Sequence, residues 1–469
     1  MACGSGVGVG VPPWPWMLLV LTLIPVALVL RRRSVTVDRR RRGAILRGQH
    51  RAVRSLKRRR LHRMPPISLA GRVLAASEET RHFKLIGTTG TGKSTAIHEL
   101  IAGALERGDR AVIADPDGAY LARFFHRYRG DVLLNPFEDG SPRWDPFAEV
   151  RERHDVEELA SALIPTSGDP ASAEWRGYAR TLLAALLARL RRAGGGDLGQ
   201  LWRLLVVASP ESLRPYAEGS PAQPFLEVEN ARMFASIRSV AASALAALPY
   251  VDAQRSEPFC VRDWVERGRG VLFIPYRARQ IAALRTLIST WVRLAIFELM
   301  SQTPDEGRRL WFVVDELDAL GAIDGLKDAL ARLRKFGGRC VLGIQSIAQV
   351  SGTYGPSDAQ TIVENCANTL ILRCSASEHG GTAQFASRLI GEREVLRRQV
   401  ARSRERTWLL SGKAQRGSIQ VSEQPSTESA VLASEIEQLP DLTGYLKTAA
   451  AMEWIRVRLT ARRRWPSII

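Results

Sequence analysis

The chain has 469 residues, 45% of them apolar, and a formal net charge of +19. This composition is that of a folded protein with two or three domains. No CxxC pair and no metal-spaced Cys/His cluster occurs among its five cysteines, which argues against a disulfide framework or a structural metal site. The charge favours a polyanionic partner, either nucleic acid or an anionic membrane face.

The N-terminal region contains an uncharged, apolar run from Trp14 to Leu30. Together with the preceding Gly/Val stretch it reaches about 25 residues, enough to span a bilayer of roughly 30 Å. Trp14 and Trp16 occupy the position of an interfacial aromatic belt. A signal peptide is the competing interpretation, but no basic segment precedes the run and no A-x-A site follows it. We predict a transmembrane anchor over residues 1–33.

A strongly basic segment follows, over residues 34–77. Between Arg31 and Arg63 there are 15 Lys and Arg and one acid, Asp38, a net charge of 15 − 1 = +14. The positive-inside rule puts this segment on the cytoplasmic side of the lipid bilayer and the N-terminus outside, as in a single-pass protein. The segment could be only a topology and lipid-surface signal, or it could also contact DNA phosphates. The rest of the chain is mildly basic, so global charge is weak evidence for nucleic acid binding.

A phosphate-binding loop lies between a predicted strand, Phe83 to Ile86, and a predicted helix, Thr95 to Ala104. The intervening GTTGTGKS is a complete Walker A motif. Its glycines let backbone N–H groups converge on phosphate oxygens at the positive end of the helix. The predicted ligand is ATP with Mg²⁺, and the candidate binding residues are Gly87, Thr88, Thr89, Gly90, Thr91, Gly92, Lys93, Ser94 and Thr95. Lys93 is assigned to the β- and γ-phosphates, and Ser94 to the metal.

The sequence WFVVDEL, from Trp311 to Leu317, predicts a buried strand that ends in two acids. Ligands of open parallel sheets bind at the carboxyl edge. Asp315 is therefore the candidate Walker B ligand of Mg²⁺, and Glu316 is the candidate that orients or deprotonates the attacking water. A strand followed by an acidic helix cap is the structural alternative.

The next predicted strand, Cys340 to Ile344, ends in Gln345, a candidate sensor of the γ-phosphate or its water. Before it, the segment from Leu330 to Arg339 is typical of a helix end. The segment carries Arg332, Arg334 and Lys335, and an arginine here could reach a neighbouring subunit's site and neutralise transition-state charge. Its basic residues could equally form a solvated face near a helix C-terminus.

Short apolar strands that alternate with helical stretches predict a parallel α/β sheet. The further strands are expected at Arg110–Pro116, Asp131–Phe137, Gly270–Tyr276 and Ala367–Ser375. Between about 150 and 250 no strand pattern occurs, which predicts an inserted all-α subdomain. Its expected helices are Arg180–Leu190, Leu198–Val207, Glu211–Tyr216 and Ala231–Leu248. The ATPase domain would then comprise residues 78–149 and 251–469.

The C-terminal region gives a weaker pattern. Glu392 to Arg406 is interpreted as a charged helix, and Gly412 to Glu428 as a loop or loose hairpin. Tyr445 to Leu459 is expected to return to the sheet, and Trp454 to Leu459 alternates like an edge strand.

From Glu78 to Leu459 the chain resembles type IV coupling proteins of the TraD/TrwB kind, the DNA-translocating ATPases of bacterial conjugation. The Walker motifs are generic to ATPases, and the more specific matches lie in the segments IADPDGAYL, LLNPFEDGSPRWDPF, RKFGGRCVLGIQSIAQV and ENCANTLILRCS. The resemblance implies a RecA-like P-loop ATPase that forms a homo-hexamer around DNA, single-stranded during transfer. It would sit in the bacterial inner membrane at a type IV secretion channel and receive relaxase-bound DNA.

The resemblance also implies roles for individual residues. Lys93, Ser94, Asp315, Glu316 and Gln345 match nucleotide-site positions. Arg334 matches a trans-acting arginine, and Arg81 resembles a nucleotide-contacting position. The departure is at the N-terminus, where members usually carry two transmembrane helices and this sequence has one candidate span.

Two other functions fit the motifs less fully. A nucleotide-gated docking receptor would recruit substrates without pumping DNA. An FtsK/HerA-type motor would translocate chromosomal duplex, but the family-specific segments disfavour it, as does the lack of a recognisable C-terminal winged helix. DNA-stimulated ATPase activity distinguishes the pump from the receptor.

Overall fold

The computed structural model describes residues 39–48, 66–166, 170–194, 196–377, 380–404 and 417–460. The chain divides into two compact units, one formed by Met1–Ala44 with Gly391–Ala430 and the other by Ile45–Ile390 with Val431–Ile469. We call them the small unit and the main unit. In the described part of the chain no helix is long and apolar enough to cross a membrane. The predicted anchor, 1–33, lies outside the described residues.

The main unit is built on a ten-stranded sheet. In spatial order its strands are β2 (Leu46–Arg47), β17 (Trp454–Arg458), β16 (Thr443–Lys447), β13 (Asn368–Ile371), β5 (Phe83–Ile86), β12 (Gly338–Ile344), β11 (Leu310–Val314), β6 (Arg110–Pro116), β10 (Val271–Tyr276) and β7 (Val132–Leu133). The strands from β13 to β7 are mutually parallel, and β16 and β17 add antiparallel pairings. The expected α/β fold with a mostly parallel central sheet is confirmed.

The central strands are short and buried along their whole length, as expected for a parallel sheet covered by helices. Every residue of β5, β10, β11, β12 and β13 is buried. Two short ribbons complete the strands of this unit: β3 (Ser68–Leu69) with β4 (Arg72–Val73), and β8 (Arg143–Trp144) with β9 (Pro258–Phe259).

Sixteen α-helices are described, numbered here in chain order. They are α1 (Ala76–Glu79), α2 (Lys93–Glu106), α3 (Ala119–Phe124), α4 (Arg153–Leu163), α5 (Pro170–Arg192), α6 (Leu198–Trp202), α7 (Pro210–Ala217), α8 (Ala231–Ala244), α9 (Leu248–Asp252), α10 (Val261–Arg267), α11 (Ile281–Ser301), α12 (Leu326–Arg332), α13 (Ile347–Tyr354), α14 (Pro356–Asn365), α15 (Gly381–Ile390) and α16 (Ala433–Glu437).

Helices α4 to α9 occupy the region expected to be all-α, and its described residues contain no strand. The ribbon β8–β9 pairs the chain just before this region with the chain just after it. Two expected helices are divided. The helix expected at Leu198–Val207 continues beyond α6 as a π-helical segment, Arg203–Val207, and the one expected at Ala231–Leu248 ends with α8.

The strands at the flanks of the sheet differ from expectation. The strand expected over Asp131–Phe137 is only the two residues of β7. The expected return of the chain at Tyr445–Leu459 is confirmed, but it consists of the antiparallel pair β16 and β17. β17 is not the outermost strand, because β2 pairs with it in parallel.

The small unit is a three-stranded antiparallel sheet in the order β1 (Arg39–Gly43), β14 (Glu392–Arg404) and β15 (Gly417–Ser429). The prediction of a helix at Glu392–Arg406 is therefore wrong. The described part of Gly412–Glu428, predicted as a loop or loose hairpin, is instead one long strand that pairs with β14. Arg393 and Arg397 both bind Glu428 on the facing strand. A spacing of four residues puts side chains on one face of a helix and on one face of a strand, so this charge pattern did not distinguish the two.

A buried ionic cluster lies near the amino ends of β5 and β12. The Glu79 carboxylate is 2% exposed and accepts two hydrogen bonds from the Arg107 guanidinium, both 2.8 Å. It also accepts one from Arg339 Nε at 3.1 Å. These contacts connect α1, the end of α2 and the start of β12, so they fix the frame that carries the phosphate-binding loop.

We expect Glu79→Gln to lower the free energy of unfolding by about 3 kcal/mol, because it leaves two buried guanidinium groups with less compensation. Urea unfolding followed by circular dichroism measures the change. Glu453→Gln is the control, since the partly exposed pair between Glu453 and Arg47 is worth less than about 1 kcal/mol. Equal losses in the two variants would contradict a structural role of the cluster.

Candidate active site

The Walker A loop and the acidic pair meet at the carboxyl edge of the sheet. Gly87 follows β5, and Asp315 follows β11, with β12 between the two strands. The Ser94 hydroxyl donates a hydrogen bond of 2.7 Å to Asp315 Oδ2. Two segments that are 221 residues apart in sequence are therefore in direct contact.

The loop requires its glycines. Gly90 and Gly92 have φ angles of +79° and +116°, in the region that favours glycine. A Cβ at Gly92 would lie 2.8 Å from a methyl carbon of Leu442, and one at Gly87 would lie 2.9 Å from the Thr91 hydroxyl oxygen. The backbone can therefore turn tightly into α2, whose N-terminus points its N–H groups into the loop.

The Lys93 side chain folds back over the loop. Its ammonium donates to the carbonyl oxygens of Gly87 at 2.6 Å and Thr88 at 3.2 Å, and the residue is 8% exposed. Burial lowers the pKa of the Lys93 ammonium, and the nearby Asp315 carboxylate opposes that shift. The Lys93 side chain thus lies against the carbonyl oxygens at the start of the loop.

Asp315 has one satisfied and one unsatisfied oxygen. Oδ2 accepts hydrogen bonds from Ser94 and from the Tyr120 hydroxyl, the latter at 2.8 Å. Oδ1 is buried and has no hydrogen-bond partner among the described residues. A buried, unpaired carboxylate oxygen beside a serine hydroxyl is a donor set that suits Mg²⁺, a hard cation that prefers oxygen ligands. The residues present therefore fit the metal that the sequence predicts.

Two further candidates border the same loop. Burial, and then the charge of Asp315, raise the pKa of the Glu316 carboxyl above its usual value. The Gln345 amide, at the end of β12, donates a 2.8 Å hydrogen bond to the Thr89 hydroxyl. Gln345 therefore lies next to the loop residues that precede Lys93, and Glu316 is close enough to Lys93 for that ammonium to oppose the rise of its pKa.

Sequence reasoning missed Asp115, near the end of β6, and Tyr120, in the first turn of α3, both within the segment IADPDGAYL. Tyr120 is 1% exposed, and its hydroxyl holds Asp315. The Asp115 carboxylate accepts the backbone N–H groups of Tyr120 at 3.0 Å and Leu121 at 2.6 Å, which fixes the start of α3. Burial raises the pKa of Asp115 to about 6. The turn was visible in the sequence as Asp-Gly, but the contact across to β11 was not.

Two predicted arginines lie away from this edge. Arg81 precedes β5, so the whole length of that strand separates it from the loop, and we leave it out of this subunit's site. Arg334 lies in a 3₁₀ turn, Leu333–Phe336, before the amino end of β12, whereas Gln345 follows the carboxyl end. Its side chain is 46% exposed, with Glu306 Oε1 3.8 Å away. The structure thus groups Lys93, Ser94, Asp315, Glu316 and Gln345, but neither arginine.

Comparisons with known proteins agree with this geometry. A family model described as the type IV secretion-system coupling protein DNA-binding domain matches residues 66–460. The coupling protein TraD of Escherichia coli (strain K12) is 31% identical over 395 residues, which cover 82% of this chain and 53% of TraD. The chain thus spans about half the length of this relative.

Two solved structures of the coupling protein TrwB are also similar. Unbound TrwBdeltaN70 superposes with a TM-score of 0.79 at 30% identity, over 91% of this chain and 94% of that one. TrwB in complex with ADP and Mg²⁺ gives a TM-score of 0.78 at 30% identity, over 91% of this chain and 95% of that one.

We expect Tyr120→Phe to weaken Mg²⁺-dependent nucleotide binding by roughly tenfold, because it removes a hydrogen bond to a charged group. Titration with a fluorescent ATP analogue, once with Mg²⁺ and once with EDTA, measures the nucleotide affinity. Tyr128→Phe is the control, because Tyr128 is 95% exposed. Unchanged affinity, or the same loss in EDTA, would contradict the role assigned to the Tyr120 hydroxyl.

Proposed function

The chain belongs to the family of type IV secretion-system coupling proteins, and we propose that it is an ATPase that drives DNA transfer in bacterial conjugation. It would link the relaxase-bound DNA to a type IV secretion channel at the inner membrane. The observation that carries this proposal is the contact of Ser94 with Asp315, which leaves Asp315 Oδ1 unpaired beside the phosphate-binding loop.

The residues of the site have distinct tasks in ATP hydrolysis. Loop amides and Lys93 would bind the phosphates, while Ser94 and Asp315 would hold Mg²⁺, which would supply charge neutralisation for the phosphates. Glu316 orients or deprotonates the attacking water, and its raised pKa strengthens it as a base. Gln345, which binds the Thr89 hydroxyl, would sense the γ-phosphate or its water, and Tyr120 positions Asp315 through its hydrogen bond to Oδ2.

Arg334 would complete the site of a neighbouring subunit in a homo-hexamer. It does not lie at its own subunit's carboxyl edge, and its guanidinium is half exposed with one loose contact to Glu306. An exposed arginine at the opposite edge is available to a site across an interface, where it would stabilise transition-state charge.

DNA as the moved substrate is inferred from the family's DNA-binding domain and from the specific sequence segments. The predicted single span at 1–33 would attach the motor to the inner membrane with its ATPase domain in the cytoplasm. A docking receptor would use the same nucleotide site without DNA stimulation, so DNA dependence of turnover separates the two functions.

We expect the 469-residue chain, purified in detergent, to hydrolyse ATP faster when single-stranded DNA is added. Lys93→Ala should lower turnover by about a hundredfold or more, because it removes a cation aimed at developing charge. Phosphate release, with and without single- and double-stranded DNA, is the measurement. DNA-independent turnover would favour the docking receptor, and near-normal turnover of the variant would refute the site.

Arg334→Ala should lower turnover by roughly a thousandfold while nucleotide affinity stays the same. Arg332→Ala, which removes an exposed cation from the same helix end, is the control and should have little effect. Mixed assemblies with Lys93→Ala subunits should regain part of the activity, because an intact loop then meets an intact arginine across the interface. No recovery in the mixture would argue against action in trans.

A further inference from the structure

A cleft of about 690 Å³ lies where the helical region meets the sheet edge that carries the nucleotide site. Its walls come from α5, α8, α11 and α13 and from the loop that follows β11. Neither the sequence motifs nor the nucleotide site accounts for it.

The lining chemistry of this cleft suits a phosphate. It contains two arginines, Arg176 and Arg285, several serine and threonine hydroxyls, and no Asp or Glu among its described lining residues. Arg285 is exposed and makes no hydrogen bond or ion pair with any described residue. Arg176 donates to the Pro165 carbonyl at 3.1 Å. Guanidinium groups without a carboxylate partner are suited to bind phosphate oxygens.

One wall of the cleft also offers an aromatic surface. Trp175, on the first turns of α5, is half-buried, and its ring packs edge-on against Tyr178 with centroids 5.9 Å apart. Tyr178 in turn packs against Phe225 at 5.5 Å. An indole supported in this way and adjacent to arginines can stack with a nucleobase. The C-terminal ends of α8 and α13 also border the cleft, and a helix C-terminus carries negative partial charge. The positive charge of the cleft therefore comes from its two arginines.

Two cleft-lining segments begin at the nucleotide site. Leu320 to Ala322 follow Asp315 and Glu316 after a few residues, and Gly352 and Thr353 lie on α13, which starts just after Gln345. The Tyr354 hydroxyl connects the segments, since it donates to Gly321 O at 3.4 Å and accepts from Ile323 N at 3.2 Å. Gly321 lies against the Arg285 stem, because a Cβ there would be 3.1 Å from Arg285 Cδ.

We propose that this cleft binds a phosphodiester of single-stranded nucleic acid between Arg176 and Arg285, with a base against Trp175. Occupation of the cleft restrains Gly321 and Tyr354 and is thereby transmitted to Glu316 and Gln345. The proposal rests on the proposed DNA-translocating function. It identifies the place in one subunit where binding of the strand is coupled to the nucleotide site.

The test is the salt dependence of binding of a fluorescent oligothymidylate to the full chain, between about 50 and 200 mM salt. Arg285→Ala and Arg176→Ala should each weaken binding by roughly tenfold and reduce the salt slope by about one. Arg285→Lys keeps the charge and should retain the slope. Arg192→Ala is the matched control, because Arg192 is an exposed cation on the last turn of α5, and it should leave both quantities unchanged.

Two further experiments distinguish binding of the base from binding of the phosphate. Trp175→Leu should weaken binding of oligothymidylate but not of an abasic strand, because only the former has a base to stack. Millimolar inorganic phosphate at constant ionic strength should not displace the oligonucleotide. Displacement would indicate a site for free phosphate and would overturn the proposal.

The coupling between the cleft and the nucleotide site is measured separately. The ratio of ATP turnover with saturating DNA to turnover without DNA should fall towards one in Arg285→Ala. If the wild-type chain binds DNA and the arginine variants match it in affinity and slope, the cleft proposal is wrong while the proposed function stands. If the wild-type chain binds no DNA, both are wrong.

Discussion

The hydrogen bond between Ser94 and Asp315 is the contact on which the functional interpretation depends. It exists because β5 and β11 are parallel strands of one sheet, so the segments that follow them emerge at the same edge. The buried cluster around Glu79 lies at the opposite end of the sheet, where it holds Arg339 at the start of β12, the strand between β5 and β11. The packed core thus holds the Walker A loop and the Asp315 segment next to each other at one edge of the sheet. The loop itself needs only its glycines and one helix N-terminus to present its amides.

The sequence predicts those parts of the molecule that depend on local pattern. The Walker A loop, the acidic pair and the continuous apolar strands are each defined within a few adjacent residues, and the sheet and helical region follow from them. The helix expected at Glu392–Arg406 failed because a four-residue charge spacing suits a helix and a strand equally. Tyr120 was missed because its partner, Asp315, is 195 residues away. Arg81 is near the loop in sequence, yet the length of β5 separates them.

The site as a whole connects three parts of the main unit. Asp315 and Glu316 lead into the loop that reaches Gly321, and Gln345 leads into α13, so changes at the nucleotide can move the wall of the cleft beside the helical region. Arg334 lies at the other edge of the sheet, before the amino end of β12. In the proposed homo-hexamer it would serve the site of a neighbouring subunit.

The central claim is that the Walker A loop and Asp315 surround one magnesium-bound triphosphate. A structure of the chain with a non-hydrolysable ATP analogue and Mg²⁺ tests it most directly. We expect a metal ion in contact with Ser94 Oγ and facing Asp315 directly or through water, with Lys93 Nζ moved from the Gly87 carbonyl to the phosphates. A nucleotide bound elsewhere, or a Lys93 that stays on the Gly87 carbonyl while the analogue occupies the loop, would contradict it.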